Sequence, residues 1–438
     1  MERSALATAA AIRAGETTAL AECEAAIARI ELRDGPINAV VVRDFDRARE
    51  AARLIDIAPR DDSRPLLGVP MTVKESFDVA GLPTTWGFAE HHDFVPVTDA
   101  VAVQRLKAAG AVILGKTNVP PALSDLQSDN PVYGRTGNPH DQSRTCGGSS
   151  GGAAAALASG MVALEIGTDI GGSIRVPAHF CGVWGHKPTY GACSSEGHHI
   201  PRTDGHLGPL SVAGPLARDA DDLAAAIDIL SDLPLPRTRI TSAEGLRLLV
   251  VTNHPLAKVD PAIAAAIDSV AGAFAGAGAT ISRSTSALPD QAKQFAGYMK
   301  LLSVTLARGE PSPDGISATL PDWFAMLDEQ SRNIRGWHRL FGDYDAVLAP
   351  VLGITAFEHS DATVRDRMAT IGGEQTQFGL QFAFPGMATY PGLPATAVPV
   401  ATHDGLPIGL QVICDTHRDH DAIAIARLAH DLIRSPTE

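Results

Sequence analysis

Short apolar runs alternate with amphipathic helical segments along most of the chain, and this alternation limits the folds that it can adopt. Residues 17–33, for example, predict a helix with Ile27 and Ile30 on one face and Thr17 or Thr18 as its N-terminal cap. Apolar runs that suit short buried strands occur at 65–74, 111–114, 164–166, 246–251, 345–349 and 408–413. Buried strands that alternate with helices are typical of layered α/β folds, which is the fold class we predict.

The number of domains is less constrained. A chain of 438 residues that is 45% hydrophobic can bury a large core, and length alone would suggest two or three domains. The best internal boundary is the proline-rich stretch 233–237. That stretch is more typical of a surface connection than of a domain edge, so we predict a single domain over residues 1–438.

Composition excludes several classes of protein. The net charge of −14 argues against binding to nucleic acid, because an acidic surface repels phosphate. Charged residues at Glu2, Arg3, Arg13 and Glu16 interrupt the start of the chain, which therefore does not resemble a signal peptide. No uncharged apolar stretch approaches 18 residues, so we expect no membrane span. The five cysteines include no CxxC pair, which argues against disulfides and zinc and favours the cytoplasm.

One motif matches a nucleotide-binding pattern and is rejected. Residues 110–117 have the spacing of a P-loop, with Lys116 and Thr117 at its end. The four variable positions are Ala-Val-Ile-Leu, which favour a strand, and Pro120 and Pro121 prevent a helix from following. We therefore expect a buried strand here and no phosphate site.

Two stretches rich in glycine and serine carry the candidate chemistry. Residues 146–152 precede an alanine-rich helix, so they predict a crowded turn that presents hydroxyl groups, not a flexible linker. In the second stretch, residues 167–175, backbone N–H groups can converge on one oxygen to form an oxyanion hole. The N–H groups concerned belong to Ile170, Gly171, Gly172 and Ser173. Asp169 and Arg175 flank this loop, where they either pair across it or remain solvated charges.

A serine nucleophile needs a base, and the sequence offers two kinds. His179 and His186 are nearby, with no acidic partner in register, although the members of a triad need not be sequence neighbours. Lys74 ends an apolar strand, so its amine can be desolvated and its pKa lowered until it is able to accept a proton. The residue types alone leave both bases open.

Taken together, the motifs resemble the amidase signature family. The resemblance runs from about residue 5 to 232 and resumes from about 344, and it rests on 73–74, 115–118, 147–152, 167–175, 187–191, 214–218 and 392–394. It implies a catalytic unit of Ser173 as nucleophile, Ser149 as a serine that follows a cis peptide bond, and Lys74 as base. The spacing of 24 positions from Ser149 to Ser173 matches that of the family. The chain departs from the family pattern at Cys146 and His186, which bears on substrate choice.

The resemblance also implies a fold and a broader site. The family fold is a mixed central β-sheet of about eleven strands covered by helices on both faces. Ser150, Asp169 and Arg175 are expected to support the site, and Leu123 belongs to a segment that lines the acyl pocket in similar proteins. Candidate pocket aromatics are Trp86, Trp323, Trp337 and Phe341, although packing in the core or at the surface is the more common role for any single one.

The expected function is that of a stand-alone amidase that hydrolyses a small carboxamide, or an ester or carbamate, through an acyl-enzyme. The alternative is the amidase-type component of a glutamine-dependent tRNA amidotransferase. We expect no cofactor and no metal, because His198, His199 and His206 have no cysteine or acidic residue at ligand spacing. The expected partner is a small-molecule amide, with neither nucleic acid nor membrane, and a homodimer is left open.

Overall fold

The computed structural model describes residues 2–59, 61–205, 208–308, 310–311 and 317–434. Its helices match the apolar periodicity: the predicted helix at 17–33 is α2, whose first turn is capped by Thr18 Oγ1, an acceptor for the N–H of Ala21 at 3.1 Å. The helices are α1 (Ala5–Ala14), α2 (Ala19–Arg33), α3 (Phe45–Ile57), α4 (Val101–Ala108), α5 (Gly151–Ala158), α6 (Arg175–Cys181), α7 (Ala220–Leu230), α8 (Pro261–Gly276), α9 (Gln291–Ala307), α10 (Leu320–Asp343), α11 (Ala383–Thr389) and α12 (Asp419–Arg434).

The strands include every apolar run that the sequence singled out. They are β1 (Val40–Arg43), β2 (Pro70–Lys74), β3 (Val112–Thr117), β4 (Asp129–Asn130), β5 (Gly134–Arg135), β6 (Leu164–Asp169), β7 (Trp184–Lys187), β8 (Val212–Ala217), β9 (Arg247–Val250), β10 (Thr280–Ser282), β11 (Ala346–Pro350), β12 (Met368–Ile371), β13 (Glu374–Gln377), β14 (Ala395–His403) and β15 (Leu406–Ile413).

Eight strands form the central sheet, in the order β10-β9-β11-β15-β14-β7-β8-β6. The β10–β9 and β9–β11 pairs are parallel, and the other pairs are antiparallel, so the sheet is mixed. The proline-rich stretch 233–237 lies between β8 and β9 in the chain, and both strands belong to this sheet.

Helices cover both faces of the central sheet. Successive side chains of a strand point to opposite faces, and in β9 and β11 they enter two different hydrophobic clusters. Leu248 and Leu348 pack in the cluster that contains residues of α7, α8 and α12. Leu249 and Val347 pack in the cluster that contains residues of α10 and α11. The predicted α/β layering is therefore present.

The expected number of strands is not matched by one sheet. A separate three-stranded sheet, in the order β1-β3-β2, lies beside the eight-stranded sheet. β2 and β6 belong to different sheets and are not paired as a ladder. A side-chain hydrogen bond connects them, from Lys74 Nζ to Thr168 Oγ1 at 2.8 Å. We therefore correct the expectation of about eleven strands to a central sheet of eight and a neighbouring sheet of three.

The stretch with P-loop spacing forms β3, as predicted from its apolar residues. Lys116 is fully buried, and its Nζ donates to Thr84 Oγ1 at 2.8 Å and to the carbonyl of Pro83, so this amine is already occupied. No helix within the described ranges is both long enough and apolar enough to cross a membrane.

Candidate active site

Lys74 is the last residue of β2, and its side chain is completely buried. Its Nζ donates to Ser149 Oγ at 2.7 Å and to Thr168 Oγ1 at 2.8 Å. Three separate segments thus meet at one amine: the end of β2, the turn before α5, and β6. The lysine is held by two hydroxyl groups and not by a carboxylate.

Burial dominates the protonation of this amine. Desolvation lowers the pKa of Lys74 to about 7, while the charges of Asp169 and Glu165 act in the opposite direction. Glu165 is itself buried, and burial raises the pKa of its carboxyl to about 8. Near neutral pH a large fraction of Lys74 is therefore neutral and able to accept a proton.

The turn at 146–152 is crowded, as its glycines predicted. The Gly148–Ser149 peptide bond is cis. A Cβ on Gly147 would lie 2.7 Å from the Cα of Pro177, and a Cβ on Gly148 would lie 2.4 Å from the carbonyl oxygen of Asp125. Gly147 also has a φ of 87°, a conformation that glycine adopts without steric cost. Glycine is therefore required where this turn packs beneath Ser149.

Asp169 and Arg175 pair across the second loop, so they are not the solvated charges that the sequence left open. Both side chains are fully buried, and Arg175 Nη2 and Nε lie 2.9 and 3.0 Å from the two carboxylate oxygens. Burial alone would raise the pKa of Asp169, but the Arg175 guanidinium holds it below its ordinary value. Arg175 also donates to Gln411 Oε1 and Thr389 Oγ1, which fixes the loop to the surrounding core.

One member of the predicted oxyanion hole is occupied. The N–H of Gly172 donates to Asp169 Oδ1 at 2.9 Å, so it is not free for a substrate oxygen in this structure. The carboxylate of Asp169 lies inside the curve of the loop. It therefore accepts hydrogen bonds from two backbone N–H groups, that of Gly172 and that of Ile174, the latter at 3.2 Å. We therefore correct the set of candidate donors to Ile170, Gly171 and Ser173.

Two sets of contacts hold the backbone around those remaining amides. Tyr298 donates through its hydroxyl to the carbonyl of Ile170 at 2.8 Å. In a trans peptide the carbonyl and the next N–H point in opposite directions, so this bond fixes the direction of the Gly171 N–H. Ser150 donates its N–H to the carbonyl of Ser173 at 3.1 Å, and its hydroxyl lies 3.4 Å from the Thr168 backbone. Ser150 thereby ties the two glycine-rich loops together.

The two histidines that were alternative bases are engaged elsewhere. His179 contacts the carbonyl of Ile354 through Nε2 at 2.9 Å, and burial lowers its pKa to about 4. His186 does have an acidic partner, contrary to the sequence analysis, because Asp419 Oδ1 lies 3.1 Å from its Nε2. The partner was missed because α12, on which it lies, is more than 200 residues further along the chain. Neither histidine lines the cavities beside Ser173.

Two adjoining cavities meet at Ser173. The Trp86 lobe has a volume of about 160 Å³. Its distinctive lining residues are Trp86, Phe88, Ala122, Ser149, Thr168, His198, Ile200, Ser211, Thr305 and Arg308. The Phe382 lobe has a volume of about 170 Å³. Its distinctive lining residues are Asp125, Leu126, Gly171, Met299, Leu302, Ser303, Val364 and Phe382. Both lobes share Leu123, Ser124, Ile170, Ser173 and Leu306.

The structure places Leu123 in the wall of both lobes. Of the four candidate aromatics, only Trp86 lines either lobe. Trp337 is fully buried in the core, where its Nε1 donates to Gln294 Oε1 at 2.9 Å. Trp323 packs in the hydrophobic cluster around Tyr298, and Phe341 packs against Trp337.

The histidine-rich loop contributes one residue to the site. His198 is buried between Trp86 and Phe77, with ring centroids at 4.7 and 4.8 Å, and its Nε2 lies 3.0 Å from Ser76 Oγ. Burial and the nearby Lys74 lower its pKa well below the ordinary value, so the ring is neutral. His206 lies outside the described residues. In the part of the chain that the structure describes, no group of three or more His, Cys, Asp or Glu could hold a metal ion.

Sequence reasoning missed most of the cavity walls. Thr168, the second acceptor for Lys74, stands inside the loop that the sequence singled out and could have been found there. Met299, Leu302 and Phe382 come from segments with no local motif. Cys146, a departure from the family pattern, is fully buried at the start of the turn and lines neither lobe. Burial raises the pKa of its thiol to about 12, so it is an inert core group.

Comparison with known proteins agrees with this geometry. The family model described as Amidase matches residues 22–308 and 301–423. The chain belongs to the amidase family. It is 33% identical to the indoleacetamide hydrolase of Bradyrhizobium diazoefficiens, over 97% of this chain and 85% of that protein. It is 37% identical to a component of the 1-carboxybiuret hydrolase of Pseudomonas sp. strain ADP, over 92% of each chain.

Other amidase-family relatives belong to tRNA amidotransferases. The chain is 32% identical to one component of the glutamyl-tRNA(Gln) amidotransferase of Nitratidesulfovibrio vulgaris, over 88% of each chain. Among solved structures, 6-aminohexanoate cyclic dimer hydrolase superposes with a TM-score of 0.84 at 27% identity, covering 99% of this chain and 97% of that one. As a member of this family, the protein is an amidohydrolase that acts on C–N bonds.

Proposed function

We propose that the protein is a stand-alone amidase that hydrolyses a small carboxamide through an acyl-enzyme on Ser173. The observation that carries the proposal is the 2.7 Å contact between Lys74 Nζ and Ser149 Oγ, at a cavity that Ser149 and Ser173 both line. A lysine with a pKa near 7 is suited to general-base catalysis at neutral pH.

In the first half-reaction, neutral Lys74 accepts a proton from Ser149 as Ser149 accepts one from Ser173. The Ser173 oxygen forms a bond to the substrate carbonyl carbon, and the developing oxyanion is stabilised by the free amides of Ile170, Gly171 and Ser173. Ser149 then donates its proton to the leaving nitrogen and regains one from Lys74. The C–N bond breaks and the amine departs, leaving an ester between the acyl group and Ser173.

In the second half-reaction, water takes the place of the amine. Ser149 and Lys74 accept a proton from the water as its oxygen attacks the ester carbonyl. The Ser173 oxygen leaves, recovers its proton from Ser149, and the carboxylic acid is released. The protons balance over the cycle, and each step uses only side chains already at the site.

The size and lining of the cavities support a small substrate. A cavity of about 150 Å³ accommodates a benzene ring, so each lobe suits a group of roughly that size. Trp86 and Phe88 lie in one lobe and Phe382 in the other, which favours aromatic or apolar groups on the substrate. An aryl or arylacetic carboxamide meets these requirements.

Labelling with a fluorophosphonate, followed by mass spectrometry of the intact protein, tests the assignment. We expect one covalent adduct on the wild-type protein and none on the Ser173→Ala variant. Ser211 lines the same lobe, so Ser211→Ala is the matched control and should label normally. An adduct on Ser173→Ala at the wild-type rate would show that another residue is the nucleophile.

The second candidate is the amidase-type component of a glutamine-dependent tRNA amidotransferase. It is favoured by the 32% identity to such proteins. Purification of the native protein distinguishes the two functions: a stand-alone amidase is active as the isolated chain, whereas the alternative requires co-purifying partner proteins together with glutamine-dependent transfer of ammonia.

A further inference from the structure

Arg308 occupies an unusual position at the edge of the Trp86 lobe. It directly follows α9 and has a φ of 52° and a ψ of 32°, the left-handed conformation that favours glycine at a helix end. Its side chain lines the lobe together with Thr305 and Leu306 of the preceding turn. Because the backbone here would favour glycine, the arginine side chain itself is the feature to explain.

The guanidinium of Arg308 has no anionic partner in the described ranges of the chain. No carboxylate among those residues lies within 4 Å of it, and it makes no hydrogen bond there. Arg202, three residues before Gly205, differs: its Nη2 lies 2.8 Å from Asp93 Oδ1. Arg308 therefore has its donors available for a ligand.

The surroundings of Arg308 make its charge distinctive. Most side chains of the Trp86 lobe are apolar or hydroxyl groups. The lobe has two other titratable neighbours, and neither carries a full positive charge near pH 7: burial lowers the pKa of Lys74 to about 7 and the pKa of His198 far below its ordinary value. Among the described lining residues, Arg308 thus supplies the one fixed charge in this lobe.

The loop that contains Gly205 leaves room for the guanidinium of Arg308. A Cβ on Gly205 would lie 2.8 Å from Arg308 Nη2, so the guanidinium packs directly against the backbone of Gly205. Gly208 is similarly close to α9, since a Cβ there would lie 2.6 Å from Thr305 Cγ2. The end of α9 and the loop therefore hold the arginine at the mouth of the lobe that contains Ser149.

We propose that Arg308 is a specificity-determining residue that binds a carboxylate on the amide substrate. Arginine suits this role because its planar donors match the two oxygens of a carboxylate. The preferred substrates are then carboxamides that also carry a carboxylate group, in a protein whose overall charge of −14 would otherwise repel them. This inference rests on the proposed amidase function and adds the chemical class of substrate.

Two matched pairs of amides test the inference and locate the carboxylate. The first pair places it on the leaving amine: 4-acetamidobenzoate against 4-acetamidotoluene. The second pair places it on the acyl group: succinanilic acid against butyranilide. We expect the wild-type protein to favour the charged member of at least one pair in kcat/KM. Arg308→Gln should reduce that preference by about tenfold, because a charge-assisted hydrogen bond at a partly exposed site is lost.

The controls separate this role from general effects on the fold. Arg308→Lys keeps the charge without the planar donors and should retain part of the preference. Arg202→Gln removes a nearby exposed charge and should leave the preference unchanged. A pair that is not hydrolysed is used instead to compete with fluorophosphonate labelling of Ser173, where the charged member should protect more strongly.

Two results would overturn the inference. In the first, the wild-type protein hydrolyses the charged and neutral members of both pairs equally well, or both members protect Ser173 equally. In the second, the Arg308→Gln variant keeps the wild-type preference. Neither result would affect the proposed acyl-enzyme, which depends on the labelling of Ser173. Conversely, if fluorophosphonate labelled Ser173→Ala as fast as the wild-type protein, the proposed acyl-enzyme on Ser173 would be wrong. The preference for a carboxylate could still be measured by direct titration of the four compounds.

Discussion

The catalytic floor of the cleft and its walls differ in how their side chains are held. On the floor, Lys74, Asp169 and Arg175 are completely buried, and each makes at least two side-chain hydrogen bonds. In the walls, the side chain of Trp86 makes one hydrogen bond, from Nε1 to the carbonyl of Ser76. Arg308 is exposed, and its guanidinium has no partner among the described residues. The floor is therefore built for fixed geometry, while the walls can vary without disturbing the chemistry.

Replacing Lys74 is the most severe way to break the floor. Lys74→Ala removes the base, so amide turnover should fall by about 10² to 10⁴-fold. A matched ester should lose less activity, because an alkoxide needs less protonation than an amine as it leaves. Steady-state kinetics on the amide and ester of one acid measures both effects.

The matched control for this variant is Lys116→Met. Lys116 is also fully buried with a pKa lowered to about 8, but it lies outside both lobes. It should change stability without changing the ratio of amide to ester turnover. Equal losses of amide and ester turnover in Lys74→Ala would argue against a role in protonating the leaving group.

Breaking the Asp169–Arg175 pair should destabilise the floor as a whole. Asp169→Asn leaves the buried Arg175 without its counter-charge, and the free energy of unfolding should fall by about 3 to 5 kcal/mol. Activity should fall with it, since Asp169 also orders the loop through the N–H of Gly172. Urea denaturation gives the stability, and the control Glu24→Gln breaks only the exposed pair with Arg49. If both variants unfold at the same urea concentration, the buried pair does not stabilise the loop.

The pH dependence sharpens the comparison by reporting on the floor alone. Because the neutral amine is the active form of Lys74, kcat/KM should rise with pH through a midpoint of about 7. Below that midpoint it should fall about tenfold per pH unit. His198 does not contribute to this limb, since its pKa is far lower. A midpoint that stays near 7 in the Lys74→Ala variant would assign the limb to another group.

A change in the wall should have the smallest effect. Trp86→Leu removes an aromatic face from one lobe, so KM for an aryl amide should rise by about tenfold while kcat changes little. Trp323→Leu is the size-matched control outside both lobes. Comparing aryl with short aliphatic amides measures the contribution of the ring, and a drop in kcat with KM unchanged would mean that Trp86 belongs to the floor.

The same division explains what the sequence could predict. The residues assigned to the floor stand in short motifs near the ends of strands. The family resemblance therefore pointed to Lys74, Ser149 and Ser173, although the residue types alone left the base open. The fold class followed from periodicity, but the division of strands into two sheets did not, because no local pattern shows that β2 and β6 lie side by side without ladder pairing. The hydrogen bond from the Gly172 N–H to Asp169 depends on the local path of the backbone. The pairing of His186 with Asp419 depends on tertiary packing of segments that are far apart in the chain.

The walls could not be predicted for a related reason. Trp86, Arg308 and Phe382 are far apart in the chain, and what brings them together is tertiary packing of loops and of α9. Apolar residues on a helix look alike whether they enter the core or line a cavity. Leu123 was named from the family resemblance, and Trp86 was one of four candidate aromatics, of which the other three line neither lobe.

The position of β14 and β15 has a consequence for how the chain is made. These two strands stand in the middle of the central sheet, between β11 and β7, yet they are the last strands to be synthesised. A nascent chain that ends before residue 395 holds the two outer parts of the sheet with exposed edges and nothing to join them. We expect ribosome-bound chains of that length to be digested readily by protease, and the released protein, in which β14 and β15 have joined the sheet, to resist it.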